Sequence, residues 1–298
     1  MTAVSRERPA ASASYTVERL RDREVIRALL EPERPYAAYA LAQLDPALFP
    51  ANDWLLSTGA RGDQALLVHS RSGLGNALFA IGDPAALNAA LRLHPGARFT
   101  FGSLRLEHKR VAEKHFFLAR PQTMLRMSVT RESFQPAEGT GAVRLTTGDV
   151  GMVNRLYSIE GGPTSYRGNH LEEGMYYGVF VGGDLVSVAG THVVSHAERI
   201  AVVGNVFTHP RHRARGLATI ATSATTRTLL EFCDLVALTV EERNDPAVKI
   251  YRKLGYETQC KLHETPLIRK EPLGAVSFVR RIIAGWRGRR VGKEVTGK

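Results

Sequence analysis

The sequence predicts an α/β (α+β) chain in two units, the second built on a mixed central sheet. Three observations carry this expectation. In 143–268, β-like runs alternate with helical stretches, and the regular strand–helix–strand order near the end of that span requires parallel pairing. In 15–130, short β-like runs are separated by Gly-Asp and Ser-Gly pairs, which are hairpin turn signals. Between them, residues 131–142 (RESFQPAEGTGA) combine Pro, Gly, Ser and Thr without periodicity and read as a linker.

Taken in order, residues 1–14 form a disordered leader. Val17–Leu30 places Val17, Leu20, Val25, Ile26 and Leu29 at helical spacing and stops before Pro32. Tyr36–Leu44 reads as a second helix. WLLST (54–58), ALLVHS (65–70) and ALFAIG (77–82) are strands, and Asp83-Pro84 caps a helix running to Leu93. RFTFGSL (98–104), HFFLA (115–119) and MLRMSV (124–129) complete a compact α+β unit. After the linker, VRLTT (143–147) is a strand, VGMVNRLYSI (150–159) a helix and GGPTSYRGN (161–169) a loop. A hairpin follows (YYGVFV, GGD, LVSVAGTHVV), then the strand RIAVVGNVFT (199–208), a basic loop and a helix to Phe232. LVALTV (235–240), a helix after Asp245-Pro246 and the strand ETQCKLHE (257–264) close the second unit.

Composition narrows the function. The net charge of +11 invites a nucleic-acid reading. Yet the tail 269–298, with nine Lys/Arg against two Glu, supplies +7 of it, so the folded body is not especially basic and no nucleic-acid partner is expected. Cys233 and Cys260 lack metal or redox spacing and read as reduced thiols, and no metal site is expected. No apolar run approaches the ~18 residues of a membrane span. The first residues lack the apolar core of a secretory signal, so the chain is expected in the cytoplasm.

The chemistry concentrates in THPRHRARGLATIA (208–221). The first turn of a helix carries backbone N–H groups without internal partners, at the positive end of the helix dipole. Gly216 and Ala218 let a phosphate approach the backbone, and Arg213 and Arg215 add charge-assisted hydrogen bonds. A pyrophosphate suits this arrangement. A Walker A loop requires Lys-Ser or Lys-Thr after its second Gly, which is missing, and GLGNAL (73–78) has only two glycines of a dinucleotide fingerprint. A solvated basic turn is the other reading of these residues alone.

Arg213 to Ala218 satisfies [Arg/Gln]-x-x-Gly-x-[Gly/Ala] after a His-Pro step, and Asn244, Ala247, Tyr251, Gly255 and Tyr256 follow as Asn-x-x-Ala-x-x-x-Tyr-x-x-x-Gly-[Phe/Tyr]. On these two motifs, residues 143–268 resemble the GNAT superfamily of acyl-CoA-dependent N-acyltransferases. The phrase Gly204–Thr208 (GNVFT) is similar to a glycine N-acyltransferase-like subgroup, whose members often carry an additional N-terminal domain, sometimes a degenerate copy of the same fold. The resemblance implies a GNAT fold over 143–268, with 15–130 as such a copy. That first unit lacks a basic Gly loop and is assigned no acyl-CoA.

The implied reaction is acyl transfer from acetyl-CoA to a primary amine. By the resemblance, the backbone of Arg213, Ala214, Arg215, Gly216, Leu217 and Ala218 holds the pyrophosphate. Val206, Phe207 and Thr208 pair with the pantetheine arm like an added strand, and Tyr251 protonates the departing thiolate. Asn244 bonds the pantetheine or caps a strand end, with a plain turn residue as the other reading. Glu160, His192 and Glu198 are the candidate bases for the attacking amine, with Glu160 ranked slightly ahead. The acceptor is a small amine or amino acid, with a protein Lys or N-terminus next and a non-catalytic acyl-CoA sensor as the competing class. In the tail, Val276, Val279, Ile283 and Trp286 make an apolar stripe within 275–290, interleaved with arginines. Such a helix docks on the protein's own body or makes peripheral contact with an anionic membrane. The oligomeric state is not legible.

Overall fold

The computed structural model describes residues 14–71, 76–139, 141–162, 164–271 and 276–282. The expected leader lies outside these residues except for Ser14. The first half comprises β1 (Tyr15–Leu20), α1 (Arg23–Leu30), α2 (Arg34–Ala42), β2 (Asn52–Gly59), β3 (Gln64–Ser70), β4 (Ala77–Gly82), α3 (Pro84–Leu93), β5 (Phe99–Arg105), α4 (Lys109–His115), β6 (Phe116–Leu118) and β7 (Gln122–Val129). The second comprises β8 (Ala142–Arg144), α5 (Val150–Ser158), α6 (Gly168–Glu173), β9 (Tyr177–Val181), β10 (Asp184–Ser195), β11 (Ile200–Thr208), α7 (Leu217–Leu229), β12 (Leu235–Glu241), α8 (Asp245–Lys253) and β13 (Glu257–Arg269). Apart from β6, the halves share one order: strand, two helices, three strands, helix, strand, helix, strand.

One mixed sheet joins them, in the order β1-β2-β3-β4-β5-β13-β7-β12-β11-β10-β9-β8, with β6 on the far end of β13. Each half holds one parallel pair, β4 with β5 and β11 with β12. The last strands of the two halves are exchanged. β13 runs antiparallel to β5 (Leu262 opposite Arg105), β7 antiparallel to β12 (Arg126 opposite Thr239), and β7 and β13 pair with each other. The boundary legible along the chain is therefore no boundary in the sheet.

Helix α2 spans the junction. Tyr36, Ala37, Ala38, Ala40, Leu41 and Ala42 are all buried, and a helix apolar all round must be covered all round. It packs on Leu66, Val68 and Phe79 of the first half and on Val202, Ala237 and Leu262 in the second half's part of the sheet. Arg27 of α1 adds an ionic tie: its Nε and Nη2 donate to the buried Glu198 carboxylate at 2.8 and 2.6 Å, and Arg34 donates to the Glu198 carbonyl at 2.7 Å. The opposite face of the sheet is covered by α7 and α8 over Leu125, Met127, Val203, Leu238 and Tyr256.

The single helix expected over Val17–Leu30 is two elements. Residues 15–20 pair with β2 from Tyr15↔Gly59 to Leu20↔Trp54. Asp22 then opens α1 by accepting from the Glu24 and Val25 amides at 2.9 and 3.3 Å. Val17 and Leu20 fit a helical face, but cross-strand pairing overrides that local pattern. The loop expected over 161–169 gives way to α6 at Gly168, and HFFLA is shortened by α4, which ends at His115. Past β13, residues 276–282 are helical. Arg281 donates to the Leu93 carbonyl at 2.6 Å, while Val276, Phe278, Val279 and Ile282 are exposed. Ile283 and Trp286 of the expected stripe lie outside the described residues. Among the described residues no helix is long and apolar enough to cross a membrane.

Gly255 follows α8 with φ +88°, and a Cβ there would lie 1.9 Å from the Ser133 carbonyl oxygen. The chain after β7 crosses this point, with Gln135 N donating to Leu254 O at 3.1 Å. Gly255→Ala therefore combines left-handed strain of about 1–3 kcal/mol with a clash against backbone. Urea unfolding should show a loss of at least about 2 kcal/mol, and a change below about 0.5 kcal/mol would contradict this packing.

Candidate active site

β11 and β12 pair only from Ile200↔Leu235 to Val203↔Leu238. Beyond that point each keeps its outer neighbour, β11 against β10 to Thr208 and β12 against β7 to Glu241, but the two no longer pair. The sheet is thus split, and backbone groups of Gly204–Thr208 face the gap. The departure occurs at Asn205, with φ +55°. A left-handed non-glycine residue is costly, and asparagine tolerates it best. Asn205 is held there on three sides: its Nδ2 donates to the Tyr176 hydroxyl at 2.9 Å and to Thr191 O at 3.3 Å, and its carbonyl accepts from the Tyr157 hydroxyl.

At the end of β11 lies the basic loop. Ala214 and Gly216 both have positive φ, 60° and 76°, and Gly216 is the N-cap of α7. With no side chain at that cap, the Leu217 and Ala218 amides have no side-chain capping partner among the described residues. A Cβ at Gly216 would meet nothing within 4 Å, so the turn opens outward. The arginines are already oriented. Arg213 pairs with Glu160, donates to Thr208 O at 3.2 Å and lies over the Phe207 ring at 5.7 Å. Arg215 Nη1 is 3.0 Å from His212 Nδ1. Bare amides at a helix start flanked by cations fit a diphosphate.

Tyr251 projects from α8 into the core beneath this face, beside Leu125, Val240 and Val206. Its hydroxyl makes no hydrogen bond among the described residues. Burial pushes its pKa up to about 12, so it stays a protonated donor at neutral pH. Its ring meets Tyr256 at 5.9 Å, and the Tyr256 hydroxyl is 2.7 Å from Thr226 Oγ1, which fixes α8 against α7. Asn244 caps α8, its Oδ1 accepting from Ala247 N at 3.3 Å.

On the other face of the split, under α2, lies a cavity of about 400 Å³. Arg126 of β7, Thr239 of β12 and His192 of β10 face it, with Glu264 of β13 further along. Thr239 is the first β12 residue past the last pair with β11. The His192 ring occupies the place of a side chain at position 204, because a Cβ on Gly204 would come within 2.1 Å of Nε2. His192 keeps an exposed face on the cavity side, while desolvation of the rest of the ring and the nearby Arg126 charge push its pKa down to about 4. Burial raises the Glu264 carboxyl, against the pull of Arg126. A larger hollow of about 710 Å³ lies in the first half beside His69, His94 and Arg281. It touches neither the split, the loop nor Tyr251, so size does not identify the reacting site here.

The fold therefore brings Val206–Thr208, Arg213–Ala218 and Tyr251 to one side of the split and His192 to the other. Glu160 is bound to Arg213 at the loop, away from the cavity lining, and Glu198 is engaged by Arg27. Arg126, Thr239 and Glu264 were not singled out from the sequence. A charge inside MLRMSV was the available signal: Met124, Arg126 and Ser128 share one strand face, and Leu125, Met127 and Val129 the other.

Residues 153–256 match the model of the acetyltransferase (GNAT) family. Among solved structures, a Drosophila protein aligns with TM-score 0.62 at 14% identity, over 85% of this chain and 98% of its own. An acetyltransferase of the GNAT family from Colwellia psychrerythraea aligns with TM-score 0.51 at 13% identity, over 84% and 99%. A GCN5-related N-acetyltransferase from Kribbella flavida does so with TM-score 0.51 at 19% identity, over 69% and 86%. No curated protein matches the chain in sequence. The likeness establishes a GNAT fold.

Proposed function

We propose that the chain is an N-acyltransferase that moves an acetyl group from acetyl-CoA to the primary amine of a small molecule. The observation that carries this reading is the split between β11 and β12, with an anion-binding loop and Tyr251 on one side and a cavity holding Arg126, His192 and Glu264 on the other. Amides around Gly216, with Arg215, hold the diphosphate of the thioester substrate. The free edge of Val206–Thr208 holds its pantetheine arm as an added strand, and an amide at that edge polarises the thioester carbonyl. Tyr251 donates its proton to the departing sulfur.

The amine reaches the split from the cavity. An alkylammonium of pKa ~10.4 is charged in water, but transfer to a largely apolar cavity beside Arg126 disfavours that charge. Its proton leaves to His192 or Glu264, both of which face the amine's path, whereas Glu160 does not. A protein lysine is a poorer fit than a free amine, because α2 roofs the cavity. We further read the first half as a degenerate copy of the second, as in the two-domain glycine N-acyltransferase-like proteins. The shared element order supports this. Where α7 leaves its first amides bare, α3 has them filled: Asp83 accepts from Ala85 and Ala86 at 2.8 and 2.9 Å. One thioester per chain follows.

Calorimetry with acetyl-CoA should give a stoichiometry of one, and Arg215→Glu should weaken binding by about 10- to 100-fold through lost charge-assisted bonds. Thiol release with an amine panel tests turnover. Absence of heat with acetyl-CoA would sink the reading, and heat without turnover on any amine would leave only the sensor.

A further inference from the structure

The geometry points to an acceptor that carries a carboxylate besides its amine, with Arg126 and Ser103 as the carboxylate's binding groups in the cavity under α2. This deepens the acyltransferase reading and rests on it for the location of the reacting amine. Arg126 is 2% exposed, yet it makes no hydrogen bond or ion pair among the described residues, and its Nε is buried without a partner. A buried guanidinium left so is costly unless a ligand completes it. Glu264 shares the cavity and pulls on the Arg126 charge from a distance, but forms no ion pair with Arg126 among the described residues. The second orphan is the Ser103 hydroxyl, on β5, directly opposite Glu264 in the register of β13. Two unpartnered donors, from β7 and β5 on either side of β13, thus face one space.

A planar guanidinium suits a carboxylate by its paired N–H groups. Arg126 lies opposite Thr239, the residue at the edge of the split. A carboxylate on Arg126 therefore leaves an amine a few bonds away at the point where the thioester carbon is presented, beside His192. Glu264 offers the opposite charge for the ammonium before it is deprotonated. The volume of about 400 Å³ admits an amino acid with a side chain of ordinary size.

The test uses pairs that differ only in the carboxylate: glycine and methylamine, L-leucine and isopentylamine, L-phenylalanine and phenethylamine. Thiol release with acetyl-CoA should favour the acid member of at least one pair by about 100-fold or more in kcat/KM. Arg126→Met should bring that ratio close to one, chiefly through KM, while Arg126→Lys restores part of it. Ser103→Ala should raise KM for the acid several-fold. A purely structural arginine would lower Tm on substitution by Met, whereas an arginine held for a ligand leaves Tm unchanged or raises it. Ligand-observed NMR with each pair, without any CoA ester, reads the cavity separately from acetyl-CoA calorimetry. Preferential binding of the acids supports the proposal even if acetyl-CoA fails to bind. Equal binding or equal turnover of both members by the parent, or an unchanged preference in Arg126→Met, overturns it.

Discussion

Tyr251→Phe should lower kcat by about 10²- to 10⁴-fold, the range associated with removing a positioned proton donor. It should leave acetyl-CoA affinity within about twofold, since loop amides rather than the phenol supply that affinity. The separation is expected because the hydroxyl has no hydrogen-bond partner among the described residues, so its removal breaks no bond there. Burial that pushes the phenol to about 12 also penalises a bare thiolate nearby, and the two effects act together. The departing sulfur becomes more basic in the same dry space, so transfer of the proton stays feasible. Fold stability should be little changed, because phenylalanine fills the same contacts with Val240, Val248 and Tyr256 and no hydrogen bond is lost. Steady-state thiol release beside calorimetry checks this. A variant with full kcat would remove Tyr251 from the chemistry while leaving the binding loop untouched.

The residues that could be read in advance are those whose role is local. A glycine at a helix start, two arginines before it and a tyrosine seven residues after Asn244 announce themselves in short stretches. Their backbone partners lie within the same loop or helix. Gly204 is an intermediate case: it belonged to a legible phrase, but its purpose, room for the His192 ring, needs a contact across a strand pair. The cavity was not legible at all. Arg126, Ser103, Glu264 and Gln43 come from four elements of two halves, and only the exchange of β7 and β13 brings them together. β1 was hidden by a separate long-range pairing: Val17 and Leu20 satisfy a helical period until the β2 partner is known. Periodicity reports what a segment buries. It does not report across which strand the segment is buried, and that is what brings the groups of this cavity together.

Arg27→Met should destabilise the protein by about 3 kcal/mol, the low end for breaking a buried ion pair, and lower Tm by about 6–12 °C. The low end applies because Arg27 is 29% exposed, while its partner Glu198 is 2% exposed and would be stranded. Glu198 then keeps the Arg34 contact to its carbonyl and the bond from its amide to Ser195 Oγ, neither of which does anything for the carboxylate. Adding Glu198→Gln to Arg27→Met should recover at least half of the loss, because it removes the stranded charge. A loss below about 1 kcal/mol, as for an exposed pair, would show that water reaches Glu198. The exchange of strands bears on how this loss is expressed. β13 and β7 tie each half into the other, so both should unfold in one transition rather than two. Arg27 also anchors the α1–α2 segment that supplies the cavity's roof through Tyr39, Ala40 and Gln43. At temperatures where Arg27→Met remains folded, KM for the acceptor should therefore rise while acetyl-CoA affinity holds, since the loop at Gly216 lies on the opposite face and shares none of these contacts.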